Sequence, residues 1–274
     1  MTQRVVRAAS GRSYGMAALG DPMADRLVVL CHPTPGSASF DPDPVVTQRW
    51  GVHLLAVERP GYGASDAEPA SLEALVADLG SMVLRAEQTA RRISAADFSS
   101  VGAVGWGTGA VVAAALAARH PALVDRLAVV GPPSPRTSTA EVVSLAALGV
   151  DPADPDLDRP GLRGRLERML EEAARQGTAG VAADRAMLDG TDWTALLADV
   201  RAPTLVMPAG RAEAAWWRGR LSAPRTDLRS GPLGIATGWA AILEHVAPGR
   251  GRISDAERDR DVSGLSDEAG PEPG

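Results

Sequence analysis

The chain has 274 residues and carries 28 basic and 34 acidic side chains, which gives a formal net charge of −6. This acidic balance disfavours nucleic acid and anionic membrane surfaces as main partners. A single cysteine, Cys31, rules out an internal disulfide and indicates a reducing, cytoplasmic location. The amino terminus lacks the apolar core of a signal peptide, and no apolar run reaches the ~18 residues of a membrane-spanning helix.

Apolar, β-prone runs alternate with helical patterns along most of the chain. A β-hairpin is predicted first, and single strands follow at 27–31, 52–57, 101–105, 127–130, 203–207 and 226–229. The hairpin strands are 4–9 and 13–19, and helices are predicted at 71–91, 109–119 and 238–246. This alternation predicts an α/β fold with a mostly parallel sheet of about eight strands, flanked by helices.

One segment interrupts the alternation with helical patterns alone, at 140–148, 162–175, 181–188 and 192–197. We interpret residues 135–200 as a helical lid inserted between a first core segment, 1–134, and a second, 201–249. Residues 250–274 are polar and charged, which predicts a disordered tail.

The sequence Gly105-Trp106-Gly107-Thr108-Gly109 joins a predicted strand to a predicted helix. It resembles the Gly-x-Ser-x-Gly nucleophile elbow of the α/β-hydrolase superfamily, with Gly107 at the position of the serine. Thr108 also carries a hydroxyl, but that register would place a tryptophan in the tightest part of the turn. Because glycine adopts strained turn conformations readily, a serine-to-glycine change would remove the attacking oxygen and relax the turn together.

Two further loops carry the same resemblance. Residues 31–37 resemble the His-Gly-x-Pro-Gly loop of the superfamily, and residues 58–66 resemble its Asp-x-Pro-Gly-x-Gly-x-Ser loop. All three loops follow apolar strands in the order expected for an α/β-hydrolase. The chain therefore resembles this superfamily over roughly residues 1–250. The resemblance implies the α/β-hydrolase fold with a helical lid.

The resemblance also implies where a catalytic triad would lie. The acid would follow the strand at 203–207, where Ala212 stands, and the histidine would precede the last helix, where Ile235 stands. Together with Gly107, these residues predict a degenerate triad. Glu213 is next to Ala212 and takes the acid position only if the loop is shifted. His32 and Glu213 are therefore the candidate acid–base helpers.

The resemblance places an oxyanion hole at the backbone N–H groups of Thr34 and Thr108. Pro33 replaces a glycine of the superfamily and has no N–H group. Four residues are predicted to line a pocket near the carboxyl ends of the strands: His32, Trp106, Trp216 and Trp239. The alternative for the tryptophans is packing between the lid and the core.

These observations favour a non-hydrolytic pseudoenzyme that binds a small apolar or carbonyl-bearing molecule, or that acts through a protein partner or as a homo-oligomer. One alternative is an enzyme with non-covalent chemistry of the isomerase, cyclase or lyase type. The other is a weak, unconventional hydrolase. No cofactor, metal, nucleic acid or membrane is expected to bind, and fold alone does not decide among these functions.

Overall fold

The computed structural model describes residues 3–93, 100–135, 141–222, 224–226 and 231–250. Its strands are β1 (Gln3–Arg7), β2 (Ser13–Gly20), β3 (Leu27–Cys31), β4 (His53–Val57), β5 (Val101–Trp106), β6 (Val124–Val130), β7 (Thr204–Met207) and β8 (Pro224–Thr226). They form one eight-stranded sheet in the order β1-β2-β4-β3-β5-β6-β7-β8. The first two pairings along this order are antiparallel and the others are parallel. The predicted mostly parallel sheet is confirmed.

The helices are α1 (Pro44–Trp50), α2 (Leu72–Ile93), α3 (Gly109–Arg119), α4 (Leu162–Ala173), α5 (Ala179–Asp189), α6 (Trp193–Leu196), α7 (Arg211–Arg218), α8 (Gly234–Thr237) and α9 (Trp239–Val246). Short 3-10 turns supplement them, including Ala146–Leu148. In the described part of the chain, no helix has the length and apolarity that crossing a membrane requires.

The sheet has a buried apolar cluster on each face. All five residues of β3 and all six of β5 are buried, as expected for central parallel strands that are covered on both sides. Helices α2 and α3 supply side chains to one cluster, and α4 and α9 supply side chains to the other. The continuous apolar runs in the sequence therefore mark the middle of the sheet.

Several predicted boundaries differ from the structure. Within 141–148 the only helical turn is Ala146–Leu148, because the Ser144 hydroxyl accepts a hydrogen bond from the Ala147 N–H and favours a local turn. Helices α1, α7 and α8 were not predicted. Strand β8 covers Pro224–Thr226, and the rest of the strand predicted at 226–229 lies outside the described residues. Of the predicted tail, residues 251–274 also lie outside them.

Helices α4, α5 and α6 form a helical insertion between β6 and β7, and α5 is docked tightly on the core. The Gln176 side-chain amide, just before α5, donates to the carbonyl oxygens of Gly63, at 3.1 Å, and Ser65, at 2.7 Å. A Cβ atom built on Gly180 would lie 2.6 Å from the Tyr62 ring. The first turn of α5 therefore lies directly against the loop that follows β4.

This close approach predicts opposite effects for two helical glycines. We expect Gly180→Ala to destabilise the protein by roughly 1–3 kcal/mol, because its methyl group overlaps the Tyr62 ring. Gly164→Ala in α4 is the matched control, since its Cβ would meet only the flexible Arg168 side chain at 3.5 Å. That substitution should stabilise by about 0.5–1 kcal/mol through helix propensity. Urea denaturation measures both, and equal effects would contradict the docking.

Candidate functional site

The turn between β5 and α3, residues 105–109, has the backbone of a sharp strand-to-helix connection. Gly107 has a φ of +56°, a left-handed conformation that favours glycine. Its N–H donates to the Val130 carbonyl oxygen at 2.9 Å, and its own carbonyl accepts from Ala110 at 3.0 Å. Gly107 is therefore held firmly at the tip of the turn.

The outer glycines of this turn are required by close packing. A Cβ on Gly105 would lie 2.5 Å from the Ala110 Cα, and one on Gly109 would lie 2.5 Å from the His32 carbonyl oxygen. Such contacts leave no room for a side chain. The register that centres the turn on Gly107 thus follows from the structure.

The residue at the tip meets Pro33 of the loop after β3. A Cβ on Gly107 would lie 3.3 Å from the Pro33 Cβ, which is a tight contact. The Pro33 carbonyl oxygen is held in turn by Arg59, whose Nη2 donates to it at 3.0 Å. The proline ring therefore occupies space next to the position where a nucleophile's side chain would begin.

A cavity of about 410 Å³ opens beside Gly107. It lies at the carboxyl ends of β3, β5, β6 and β7, where ligands bind in parallel α/β sheets. Apolar side chains and backbone atoms form most of the wall. Among its described residues, Thr34, Thr108 and Glu213 contribute polar side chains. The other described wall residues are Pro33, Trp106, Gly107, Gly131, Pro132, Pro133, Ala146, Ala147, Leu148, Gly149, Leu188, Ala209 and Pro232.

The structure brings together the two residues that were predicted to supply oxyanion-hole N–H groups. Thr34 and Thr108 both line the cavity, and within the described residues neither backbone N–H donates a hydrogen bond. Thr108 also precedes the first turn of α3, where the helix dipole favours a partial negative charge. Their N–H groups therefore stay the predicted donors for an oxygen atom in the cavity.

His32 lies behind the cavity wall with both ring nitrogens in hydrogen bonds. Its Nε2 accepts from the Arg59 backbone N–H at 3.1 Å, so its Nδ1 carries the proton and donates to the Pro33 carbonyl oxygen at 2.9 Å. Burial and the Arg59 charge hold the pKa of His32 well below its usual range. His32 is not among the described wall residues of the cavity, and its role as an acid–base helper stays a prediction.

A buried ion pair that the sequence did not reveal fixes the same loop. The Arg59 guanidinium makes two hydrogen bonds to the Asp184 carboxylate, both at 2.6 Å. Asp184, on α5, also accepts from the Thr34 hydroxyl at 2.5 Å and from the Tyr62 hydroxyl at 2.8 Å. Burial and the Asp184 charge raise the pKa of Tyr62. Arg59 and Asp184 thereby connect the insertion to the cavity wall.

Ala212 and Glu213, the two residues considered for the acid position, have different surroundings. Ala212 is exposed and is not among the cavity's wall residues, whereas Glu213 lines the cavity. Helix α7 begins at Arg211 after Gly210, so Glu213 lies in its first turn. The helix turns the side chain of residue 213 toward the cavity and residue 212 toward solvent, and the assignment of Ala212 to the acid position stays a prediction.

In the last loop, the residue assigned to the histidine position lies away from the cavity wall. Ile235 is fully buried in the apolar cluster that contains Trp106 and Trp239, and it does not line the cavity. Pro232, three residues earlier, faces the cavity instead. Residues 227–230 of this loop lie outside the described part of the chain. Pro232, the described residue of this loop that lies on the cavity wall, has no ionisable group.

Only one of the three predicted pocket tryptophans lines the cavity. Trp106 does so and packs against Phe40, with ring centroids 5.5 Å apart. Trp239 is buried elsewhere and donates from its indole nitrogen to the Thr47 hydroxyl at 2.9 Å. Trp216 packs in a tryptophan cluster with Trp193 and Trp217. Trp216 and Trp239 are not among the described wall residues, and their packing matches the alternative given for the tryptophans.

The remaining histidines lie away from the cavity. His245 contacts the carbonyl oxygens of Leu127, at 3.0 Å, and Pro203, at 3.1 Å. His120 packs against Gly80, and His53 begins β4. Within the described ranges, no three His, Cys, Asp or Glu side chains are grouped closely enough to hold a metal ion.

The buried Arg59–Asp184 pair predicts that a single conservative substitution lowers the stability of the protein strongly. Asp184→Asn leaves the Arg59 charge buried without a counter-charge, and we expect a loss of roughly 3–5 kcal/mol in unfolding free energy. Glu141→Gln is the control, because its ion pair with Arg185 is exposed and should change stability by less than about 1 kcal/mol. Urea denaturation distinguishes the two; a small loss for Asp184→Asn would contradict the assigned importance of the pair.

The contact between Gly107 and Pro33 gives a second prediction. Gly107→Ser should cost about 1–3 kcal/mol through its left-handed backbone and its contact with Pro33. Adding Pro33→Gly should recover part of that cost, which a double-mutant cycle in urea measures as a coupling energy. If Gly107→Ser leaves stability unchanged, the turn does not exclude a side chain.

Comparison with known proteins agrees with this geometry. The model of the alpha/beta hydrolase family matches residues 28–267. A hydrolase from Pseudomonas aeruginosa PA01 is 19% identical, with a TM-score of 0.67, covering 89% of this chain and 97% of that chain. An esterase from Rhodococcus sp. ECU1013 is 16% identical, with a TM-score of 0.65 and coverage of 91% and 99%.

An enol-lactonase from Burkholderia xenovorans LB400 is 15% identical, with a TM-score of 0.62, covering 96% of this chain and 99% of that chain. These identities show a shared fold. No curated protein matches the chain at the level of sequence. With its sheet order, its strand-to-helix turn at Gly107 and the family match over residues 28–267, the chain belongs to the alpha/beta hydrolase family.

Proposed function

We propose that this protein is a non-hydrolytic member of the family that binds a small, apolar, carbonyl-bearing molecule without forming a covalent bond to it. One observation carries the proposal. The tip of the turn beside the cavity is Gly107, and Pro33 lies 3.3 Å from the point where a Cβ would stand. The position of the attacking atom is therefore empty and partly obstructed.

Of the other two members of a triad, the described cavity wall offers a carboxylate, Glu213, and no histidine. Attack by a serine or cysteine needs a base to take its proton and a third group to orient that base. The described wall residues include no serine, cysteine or histidine, and Glu213 is their single ionisable side chain. A carboxylate alone cannot supply all three roles, which favours binding over hydrolysis.

The cavity has the properties of a small-molecule site. Its volume of about 410 Å³ falls within the range of ligand pockets, and its wall is mainly apolar. The N–H groups of Thr34 and Thr108 would bind a carbonyl oxygen, as donors of an oxyanion hole do. Two neighbours are an esterase and an enol-lactonase, and esters and lactones both contain a carbonyl group.

The proposal gives the helical insertion the role of a fixed lid. Ala146, Ala147, Leu148 and Gly149 lie on the cavity wall together with Leu188 of α5. The insertion therefore covers the cavity while the Arg59–Asp184 pair fastens it to the core. We accordingly retain residues 135–200 as the lid and 1–134 and 201–249 as the two core segments.

A labelling experiment tests the absence of covalent chemistry. After incubation with 4-nitrophenyl butyrate or with a fluorophosphonate probe, we expect no adduct on the peptide that contains residues 105–109. Because the carbonyl of a ketone cannot be hydrolysed, 4-phenyl-2-butanone should raise the melting temperature through binding alone.

The control for this experiment compares two leucine substitutions. Leu148→Trp fills the cavity and should abolish the thermal shift, whereas Leu84→Trp lies on a surface position that is 39% exposed and should preserve it. Recovery of an acylated or phosphonylated residue from the cavity wall would overturn the proposed function. Equal shifts for the two variants would also overturn it.

A further inference from the structure

Among the described residues of the cavity wall, the Glu213 carboxylate is the only charged group. No described residue forms a hydrogen bond or an ion pair with it. It lines a wall that is otherwise apolar apart from Thr34 and Thr108. The Thr34 hydroxyl is already bonded to Asp184. The carboxylate is thus the strongest hydrogen-bond acceptor that the described wall presents to a ligand.

The position of this carboxylate is defined by the loop before α7. A Cβ on Gly210 would lie 2.6 Å from the Glu213 Oε2, so the side chain folds back over the glycine at the start of the helix. The glycine leaves space for this arrangement, and Ala209, on the same loop, also lines the cavity. Glu213 is therefore a wall residue of the cavity whose carboxylate lies close to the start of α7.

We infer that the ligand is a small primary amine with an apolar body, whose ammonium group pairs with Glu213. This inference rests on the proposed function, because it assigns a substituent to the ligand of the same cavity. A carboxylate in partly apolar surroundings is stabilised by a cation, and a charge-assisted hydrogen bond is about twice as strong as a neutral one. An anionic ligand would be repelled by the same group.

The two polar regions of the wall then have separate functions. The N–H groups of Thr34 and Thr108 are donors and bind an acceptor atom of the ligand. Glu213 is an acceptor and binds the ammonium group. Such a division orients an otherwise apolar molecule in one direction, since each end matches only one region.

Three probes with one apolar body test the inference: 3-phenylpropylamine, 3-phenylpropanol and 3-phenylpropanoate. Isothermal titration calorimetry on the full chain at neutral pH should show the amine binding about tenfold more tightly than the alcohol. The carboxylate should show the weakest binding. Glu213→Gln keeps the size of the side chain and should abolish the difference between amine and alcohol.

Glu167→Gln is the matched control, because Glu167 is exposed on α4 and is not on the cavity wall. This variant should retain the amine preference in full. The inference is overturned if the amine binds no better than the alcohol, or if Glu213→Gln keeps the preference. Binding of the alcohol and of 4-phenyl-2-butanone without an amine preference overturns this inference while the proposed function stands. A covalent adduct at residues 105–109 overturns the proposed function itself.

Discussion

The close packing of the loop after β3 against the turn after β5 is the constraint on which the site depends. Gly109 approaches the His32 carbonyl so closely that a side chain is excluded, and Gly107 faces the Pro33 ring. Because both loops follow central, buried strands, neither can move away without disturbing the sheet. The backbone at Gly107 is thus part of a packed arrangement of two loops. A side chain introduced at Gly107 would have to fit against the Pro33 ring.

A buried ion pair also holds the loop after β3 in place. Arg59 is buried, and its charge is compensated by Asp184 of the insertion. The same guanidinium also donates to the carbonyl oxygens of His32 and Pro33, so the loop backbone is set by a charged group rather than by apolar contacts alone. A buried pair of this kind is sensitive to the loss of either partner. The shape of the cavity therefore depends on a residue that lies far away in the sequence.

The sequence predicts the sheet well because strands that are buried on both faces consist of consecutive apolar residues, as at 27–31 and 101–105. The turn at Gly107 was also predictable, since its glycines have steric causes that act locally. Residues 212 and 235 were assigned by counting along loops, and such a count contains no information on which side chains face the cavity where the chain enters α7 and α8. The pairing of Arg59 with Asp184 joins residues 125 positions apart, and local patterns hold no information about such a contact.

The docking of α5 makes the two edges of the cavity unequal. Asp184 of α5 accepts buried hydrogen bonds from Arg59, Thr34 and Tyr62, so an outward movement of α5 would break all of them at once. At the opposite edge, a Cβ built on Gly149 would lie 3.9 Å from the Pro232 ring, an ordinary van der Waals distance. The cavity wall is therefore held less tightly between these two segments than at the edge formed by α5.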